Sequence, residues 1–312
     1  MSDTRTAATA PTGSAVALDR AAMRALAHER ATEERRTRRR ERRQLLMRKP
    51  SFIIGTAILL FWLACALVPG LIAPQDPTAQ NLLNKLKEPS GAHWWGTDVL
   101  GRDVFSRVID GTRVIVFVAL GATIIATVVG TMLGLVAGYF KGRIDDVIMR
   151  LADIFSAIPT IVLALLITST VDSKSMLIVM FIIALVFSPI VARTVRSSVL
   201  GESELDYVAA ARLRTEKTPH ILFAEVLPNI LPALAVEFTV RLGYAIFAMA
   251  TLSFLGAGAG PESSDWGTQV ATHFKFLNGL NWSATIFPAG AIASLSLGVN
   301  MVQDALTEVF ER

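Results

Sequence analysis

Residues 114–138, VIVFVALGATIIATVVGTMLGLVAG, run for 25 positions without a charge. A hydrocarbon core of roughly 30 Å takes about 20 apolar residues in helical form, because lipid offers no partner to an exposed peptide group. The run therefore commits the chain to a membrane, and five further segments join it. The spans expected are Phe52–Ala73, with Pro69 near its outer end, Val114–Gly138, Val147–Thr170, bent at Pro159, Met176–Ala192, Ile230–Gly256 and Ala284–Gln303. Only 18% of residues are charged and mean hydropathy is +0.49, where a soluble domain would carry about a quarter charged. The expected fold class is an all-α integral membrane protein of six transmembrane helices.

Ahead of the first span, residues 1–19 hold Ala, Thr, Ser, Gly and Pro with little to bury, and disorder is expected. From Arg20 to Lys49 the chain is heavily basic. Such a run holds its end of a span in the cytoplasm and rests on anionic lipid, a better account than a nucleic-acid arm or a cleaved signal. With this tail inside, 22 of the 30 Lys and Arg fall on the cytoplasmic side and 7 on the outer side. Both termini are thus placed in the cytoplasm. The domain reading is a basic tail, 1–51, and a six-span domain, 52–312. Its outer loops are 74–113 and 257–283, and its cytoplasmic loop is 193–229.

Little in the chain carries bond chemistry. Cys65, the one cysteine, excludes a disulfide framework and reads as a buried span residue. His28, His93, His220 and His273 are scattered, with no HExxH and no paired histidines at i, i+4, so no metal site is expected. No GK dipeptide occurs, hence no Walker A loop; if ATP drives this protein, another chain binds it. Glu237 and Arg241 lie i, i+4 within the fifth span. Charges at that depth mark either a pathway or a pair that neutralises itself. Gly130, Gly134 and Gly138 follow Ala126 at four-residue spacing in the second span, and Gly290, Ser294 and Gly298 repeat the pattern in the sixth. Small residues let helix backbones approach in lipid, within this chain or against a second subunit.

The polar interval Ser203–Asn229 is built as a hairpin. Ser203 reads as an N-cap with Asp206 in the first turn, and Leu205, Val208, Ala209 and Arg212 recur on one helical face. Ala210 and Ala211 keep the helix thin, as if another surface packed there. Thr218-Pro219 marks a second start after a turn near Thr215, giving two short helices. From Asp206 and Tyr207 through Arg212 to Leu227, Pro228 and Asn229, the stretch DYVAAAR…LPN resembles the cytoplasmic EAA loop of ABC-importer permeases, which docks in a groove of the ATPase subunit. Where that family has Glu this chain has Ala209, and where it has Gly this chain has Thr215.

Between the first two spans, Asp98 can cap an amphipathic helix with an apolar stripe of Leu100, Val104, Phe105, Val108 and Ile109, lying at the outer interface. The same residues, GTDVLGRDVFSR, resemble the signature of the "C" permeases of dipeptide, oligopeptide and nickel importers. MRLADIFSAIPT (149–160), LSFLGAGAGPESSDWG (252–267) and Asn300 extend the resemblance from Phe52 to the C-terminus. In the last outer loop, Trp266, Phe274, Phe276 and Trp282 are either interface-belt aromatics or a contact surface for a binding protein.

The resemblance implies a type I ABC importer permease fold that moves peptides, with nickel chelates as the near alternative. Its implied partners are a second homologous permease, two ABC ATPases holding ATP and Mg2+, an extracytoplasmic binding protein and membrane lipid. No cofactor is implied on this chain. An ion-coupled secondary transporter would need midplane charges and an internal repeat, and one charge pair is all the spans offer.

Overall fold

The computed structural model describes residues 44–170, 175–260, 262–277 and 282–310. The tail as far as residue 43, and Lys174, Pro261 and Arg312 from the charge and loop readings above, lie outside the described residues. The chain divides into units 1–49 and 50–312, and of the first, residues 44–48 form a short helix.

Helices are the regular structure of the second unit, joined by a long irregular segment between Ile72 and Val104. The first, α1 (Pro50–Leu67), stops where Val68 leaves helical geometry ahead of α2 (Pro69–Ile72). A proline ring disfavours the helical conformation in the residue before it, which accounts for the break. Then come α3 (Val104–Phe140), α4 (Gly142–Ala157), α5 (Thr160–Thr170), α6 (Met176–Glu202), α7 (Asp206–Leu213), α8 (Thr218–Phe254), α9 (Trp266–His273) and α10 (Ser283–Phe310). Five of them, α1, α3, α6, α8 and α10, are long and apolar enough to cross a membrane. The pair α4–α5, bent by 80°, makes a sixth span when counted as one. The bend falls at Pro159, as expected, with Ile158 extended before it. Alone, the 11 residues of α5 reach about 16 Å, half the hydrocarbon thickness.

No separate amphipathic helix precedes the second span. Val104 begins a single helix of 37 residues, capped by Asp103, whose carboxylate accepts from Ser106 N at 2.8 Å. Asp98 cannot cap it because its carboxylate is committed to the Arg102 N–H and guanidinium. Nor does the stripe lie at an interface: Val104, Val108 and Ile109 are core residues, and Arg102 and Arg107 are buried beside them.

The tightest seam joins α3 to α6. A Cβ on Gly134 would meet Val195 Cβ at 2.6 Å and the Ala192 carbonyl oxygen at 2.7 Å; Gly130 meets Val191 and Ser188 at the same distances. At Gly138 the neighbour is Val199, at 2.8 Å. The ridge is therefore an internal packing surface. In α10, Gly298 crosses α1 at Gly55, and Trp62 Nε1 donates to Ser294 Oγ at 3.0 Å. Gly290 does not take part: it is exposed, and nothing stands within 4 Å of its added Cβ.

Two apolar cores result. The larger fills the middle of the bundle and extends toward the start of α3, with Trp266 and Met249 among its members. The smaller, Leu135, Val191, Val195, Val199, Val208, Ala211, Ile221, Leu222, Val226 and Ile230, lies where α3 and α6 end and α7 and α8 begin.

Candidate functional site

The 203–229 hairpin is built on that smaller core. Ser203 is no N-cap; it closes α6, its hydroxyl donating to the Leu200 carbonyl at 3.1 Å. α7 starts at Asp206 with no side-chain cap. Val208 and Ala211 face inward, fully buried against α3, α6 and α8, while Asp206, Ala209, Arg212 and Leu213 face out and Ala210 is half-buried. Ala211 is thus small because the chain's own core leaves no room there, not because of a second surface. Leu213 is 86% exposed, unusual for a large apolar side chain in a polar loop.

The turn is closed by backbone bonds from Arg214 N to Ala210 O (3.0 Å), Thr215 N to Arg212 O (2.9 Å) and Glu216 N to Ala211 O (3.3 Å). Thr215 sits at φ +55°. That is the left-handed conformation where a glycine is at ease and a β-branched residue is strained. Thr218 and Pro219 do start a helix, but not a short one. It continues as α8 into the fifth span through a wider π-helical stretch, Ile221–Val226. Pro228 accounts for the widening, because it has no N–H for the carbonyl four residues back and its ring crowds that carbonyl. Just before it, Leu227 N instead reaches Leu222 O, five residues back.

Polar contacts fasten the hairpin. Tyr207 OH donates to Glu202 Oε1 at 2.8 Å and accepts from Asn229 Nδ2 at 3.0 Å, joining the two ends of the DYVAAAR…LPN stretch. Partial burial, with the Glu202 carboxylate, pushes the Tyr207 phenol up to about 12, against the opposing pull of Asn229. The hydroxyl therefore stays a donor at any working pH. Arg212 lies over the Tyr139 ring at the end of α3, 4.8 Å from its centre. Arg196 of α6 forms a two-pronged pair with Asp145, and Arg193 bonds Asp153 at 2.9 Å, so α4 is tied to the same helix end.

Within α8, Arg241 Nε donates to Glu237 Oε1 at 2.6 Å, and the guanidinium also faces Phe187 and Tyr244. The two charges satisfy each other next to α6.

The opposite end of α3 carries a denser polar assembly, which sequence reading missed. Arg107, 1% exposed, donates to the carbonyls of Ser263 (2.6 Å) and Pro77 (3.3 Å) and lies 3.7 Å from Asp98. Trp266 is wholly buried rather than a belt or contact aromatic: its Nε1 donates to Val108 O at 2.8 Å and its ring stands edge-on to Trp62. Gln269 donates to the Arg107 and Ser264 carbonyls, Asp265 caps α9 through Thr268, and Asp103 meets His93 Nδ1 at 3.0 Å. Phe274, Phe276 and Trp282 stay exposed. The legible signals were the Asp103…Ser106 and Asp265…Thr268 caps, each with an acceptor three residues before its donor.

The family described as binding-protein-dependent transport system inner membrane component matches residues 130–312. The dipeptide transport system permease protein DppC of Alkalihalophilus pseudofirmus is 35% identical over 272 residues, covering 87% of this chain and 89% of the relative. DppC of Haemophilus influenzae is 35% identical over 265 residues, 83% of this chain and 89% of the relative. The oligopeptide transport system permease protein OppC of Bacillus subtilis is 32% identical over 259 residues, 83% and 84%. Matched along most of its length and over the hairpin and the α3–α6 seam alike, this chain belongs to the family of binding-protein-dependent transport system inner membrane components.

Proposed function

We propose that the chain is the peptide-translocating permease subunit of an ATP-driven importer, coupled to separate ATPases through the 203–229 hairpin. The observation that carries the coupling role is the Glu202–Tyr207–Asn229 clasp over the smaller core. It makes the hairpin continuous with α6 and α8, so force on α7 reaches the spans. Tyr207, Ala211, Leu227 and Pro228 would hold the hairpin's shape. Asp206, Ala210, Arg212 and Thr215, with Leu213, would meet the ATPase groove. Peptide cargo is supported by the relatives, named for dipeptides and oligopeptides, over the nickel-chelate alternative. A second permease would complete the path, two ATPases would bind ATP and Mg2+, and a binding protein would deliver cargo from outside. The basic tail and the hairpin would lie in the cytoplasm, and the Arg107–Trp266 assembly outside.

The test pairs two substitutions in the complex reconstituted with its cognate subunits. Leu213→Asp should leave the melting of the isolated chain unchanged, because that side chain is in water, yet abolish ATPase stimulation by loaded binding protein. Ala211→Asp should destabilise the chain alone by several kcal/mol, having buried an unpaired charge. Normal stimulation in the Leu213→Asp complex rejects the docking role.

A further inference from the structure

The hairpin holds a second cluster, which docking does not use. Glu216, His220 and Glu225 each offer one ligand atom, all within 4.8 Å of one another. His220 Nε2 stands 3.8 Å from Glu216 Oε2. Arg214 answers only the other oxygen, donating to Glu216 Oε1 at 2.7 Å. Oε2 is shut off from solvent and accepts no hydrogen bond, although it belongs to a charged group. With Arg214 on Oε1, Oε2 is left with an open acceptor position facing His220, which a cation would fill.

Backbone winding creates the cluster. Glu216 and His220, four apart, share a face. In an ordinary α-helix Glu225, five beyond His220, would point about 140° away. Across Ile221–Val226 the chain winds with bonds between residues five apart, which stacks positions five apart instead. The spacing E-x3-H-x4-E is therefore silent when read with helical periodicity, and a search for paired histidines passes over it.

We propose that Glu216, His220 and Glu225 form a binding site for a first-row divalent transition-metal cation of the Zn2+ type, stapling the turn at 214–217 to the start of α8. One imidazole with two carboxylates suits such a cation, whereas Mg2+ and Ca2+ take oxygen ligands alone. Ligand bonds of about 2.0–2.2 Å require the three atoms to draw in to about 3.4 Å apart. The His220 side chain is 60% exposed and free to turn through that distance. Three protein ligands leave a fourth position for water or for a group brought by a partner. Cation binding stands independently of the docking reading; only its effect on coupling, a stiffer hairpin, rests on it.

Binding is measured on the full-length chain in detergent micelles, by titration calorimetry with Zn2+ alone. Wild type should take up one Zn2+ per chain at this site, and His28→Ala, in the tail, should not change it. His220→Ala and Glu225→Gln should each weaken binding tenfold or more, with melting temperatures unchanged in the absence of metal. Hydrogen exchange over residues 214–226 should slow on Zn2+ addition in wild type and in neither hairpin variant. Equal affinity in wild type and both hairpin variants, no stoichiometric uptake, or displacement by an equal concentration of Mg2+ each overturns the proposal. Normal ATPase stimulation in the Leu213→Asp complex, with Zn2+ binding intact, would strike the docking reading alone.

Discussion

Gly134→Ala measures how much the α3–α6 seam contributes. The new Cβ would stand 2.6 Å from Val195 Cβ and 2.7 Å from a backbone oxygen, where carbon contacts settle at about 3.5–4.0 Å. Neither neighbour is the loose end of a side chain, so the helices must part by roughly 1 Å at that crossing. Gly130 and Gly138, one turn away on either side, stand 2.6 Å and 2.8 Å from their neighbours, and a gap at the centre loosens both. Overpacking of this kind costs about 1–3 kcal/mol, while Ala gains about 1 kcal/mol over Gly in helix propensity. The propensity gain is removed by comparison with Gly290→Ala, also mid-helix but with nothing within 4 Å. The difference between the two variants then isolates the steric cost, about 1–3 kcal/mol. Unfolding of each purified chain by sodium dodecyl sulfate in mixed micelles reads that difference as a shift in midpoint. Identical midpoints for Gly134→Ala and Gly290→Ala would refute the close-packed seam.

Two further outcomes follow from strained or buried groups. Thr215→Gly relieves a left-handed β-branched residue, worth about 1–2 kcal/mol, against about 0.5–1 kcal/mol of added chain entropy. The unfolding midpoint should rise, and a fall would show that the Thr215 hydroxyl bond to the Arg214 carbonyl outweighs the strain. His273 is buried among Asp98, Arg102 and Arg107, and burial holds its imidazole below the ordinary range, partly offset by the Gln269 carbonyl. An unfolded His273 takes up a proton near pH 6.5, so the unfolded form binds more protons and the folded assembly loses stability as pH falls through that value. Hydrogen-exchange protection over residues 262–277, taken relative to the intrinsic rate at each pH, should fall between about pH 7.5 and pH 5.5 in wild type and less so in His273→Gln. An equal change in both would place the pH response elsewhere.

The spans were legible because lipid admits few alternatives: an uncharged run such as 114–138 must be helical and must cross. Charged ends were not. Arg102 and Arg107 lie off the apolar stripe of GTDVLGRDVFSR, and only the folded contacts with Asp98, Pro77 and Ser263 reveal that both are buried. Ser203 and Asp206 lie three apart, as a cap and a first-turn acid do, yet α6 simply runs on to Glu202 and claims the serine. Ala209, Ala210 and Ala211 are alike in chemistry, so composition could not say which of them faces the core. Asn229 lies 22 residues from Tyr207, and their hydrogen bond was invisible until the chain folded back.

Because α8 runs unbroken from Thr218 to Phe254, the hairpin's second strut and the fifth span are one rod of about 55 Å. Its π-wound segment lies within the first ten residues, leaving about 40 Å of regular helix beyond. In the proposed coupling role, a π-wound joint so close to the driven end would make this rod a lever with a short input arm. Small displacements at α7 would then be multiplied at the far end. Anything that hardened the joint would change the gain of the lever without touching either of its ends.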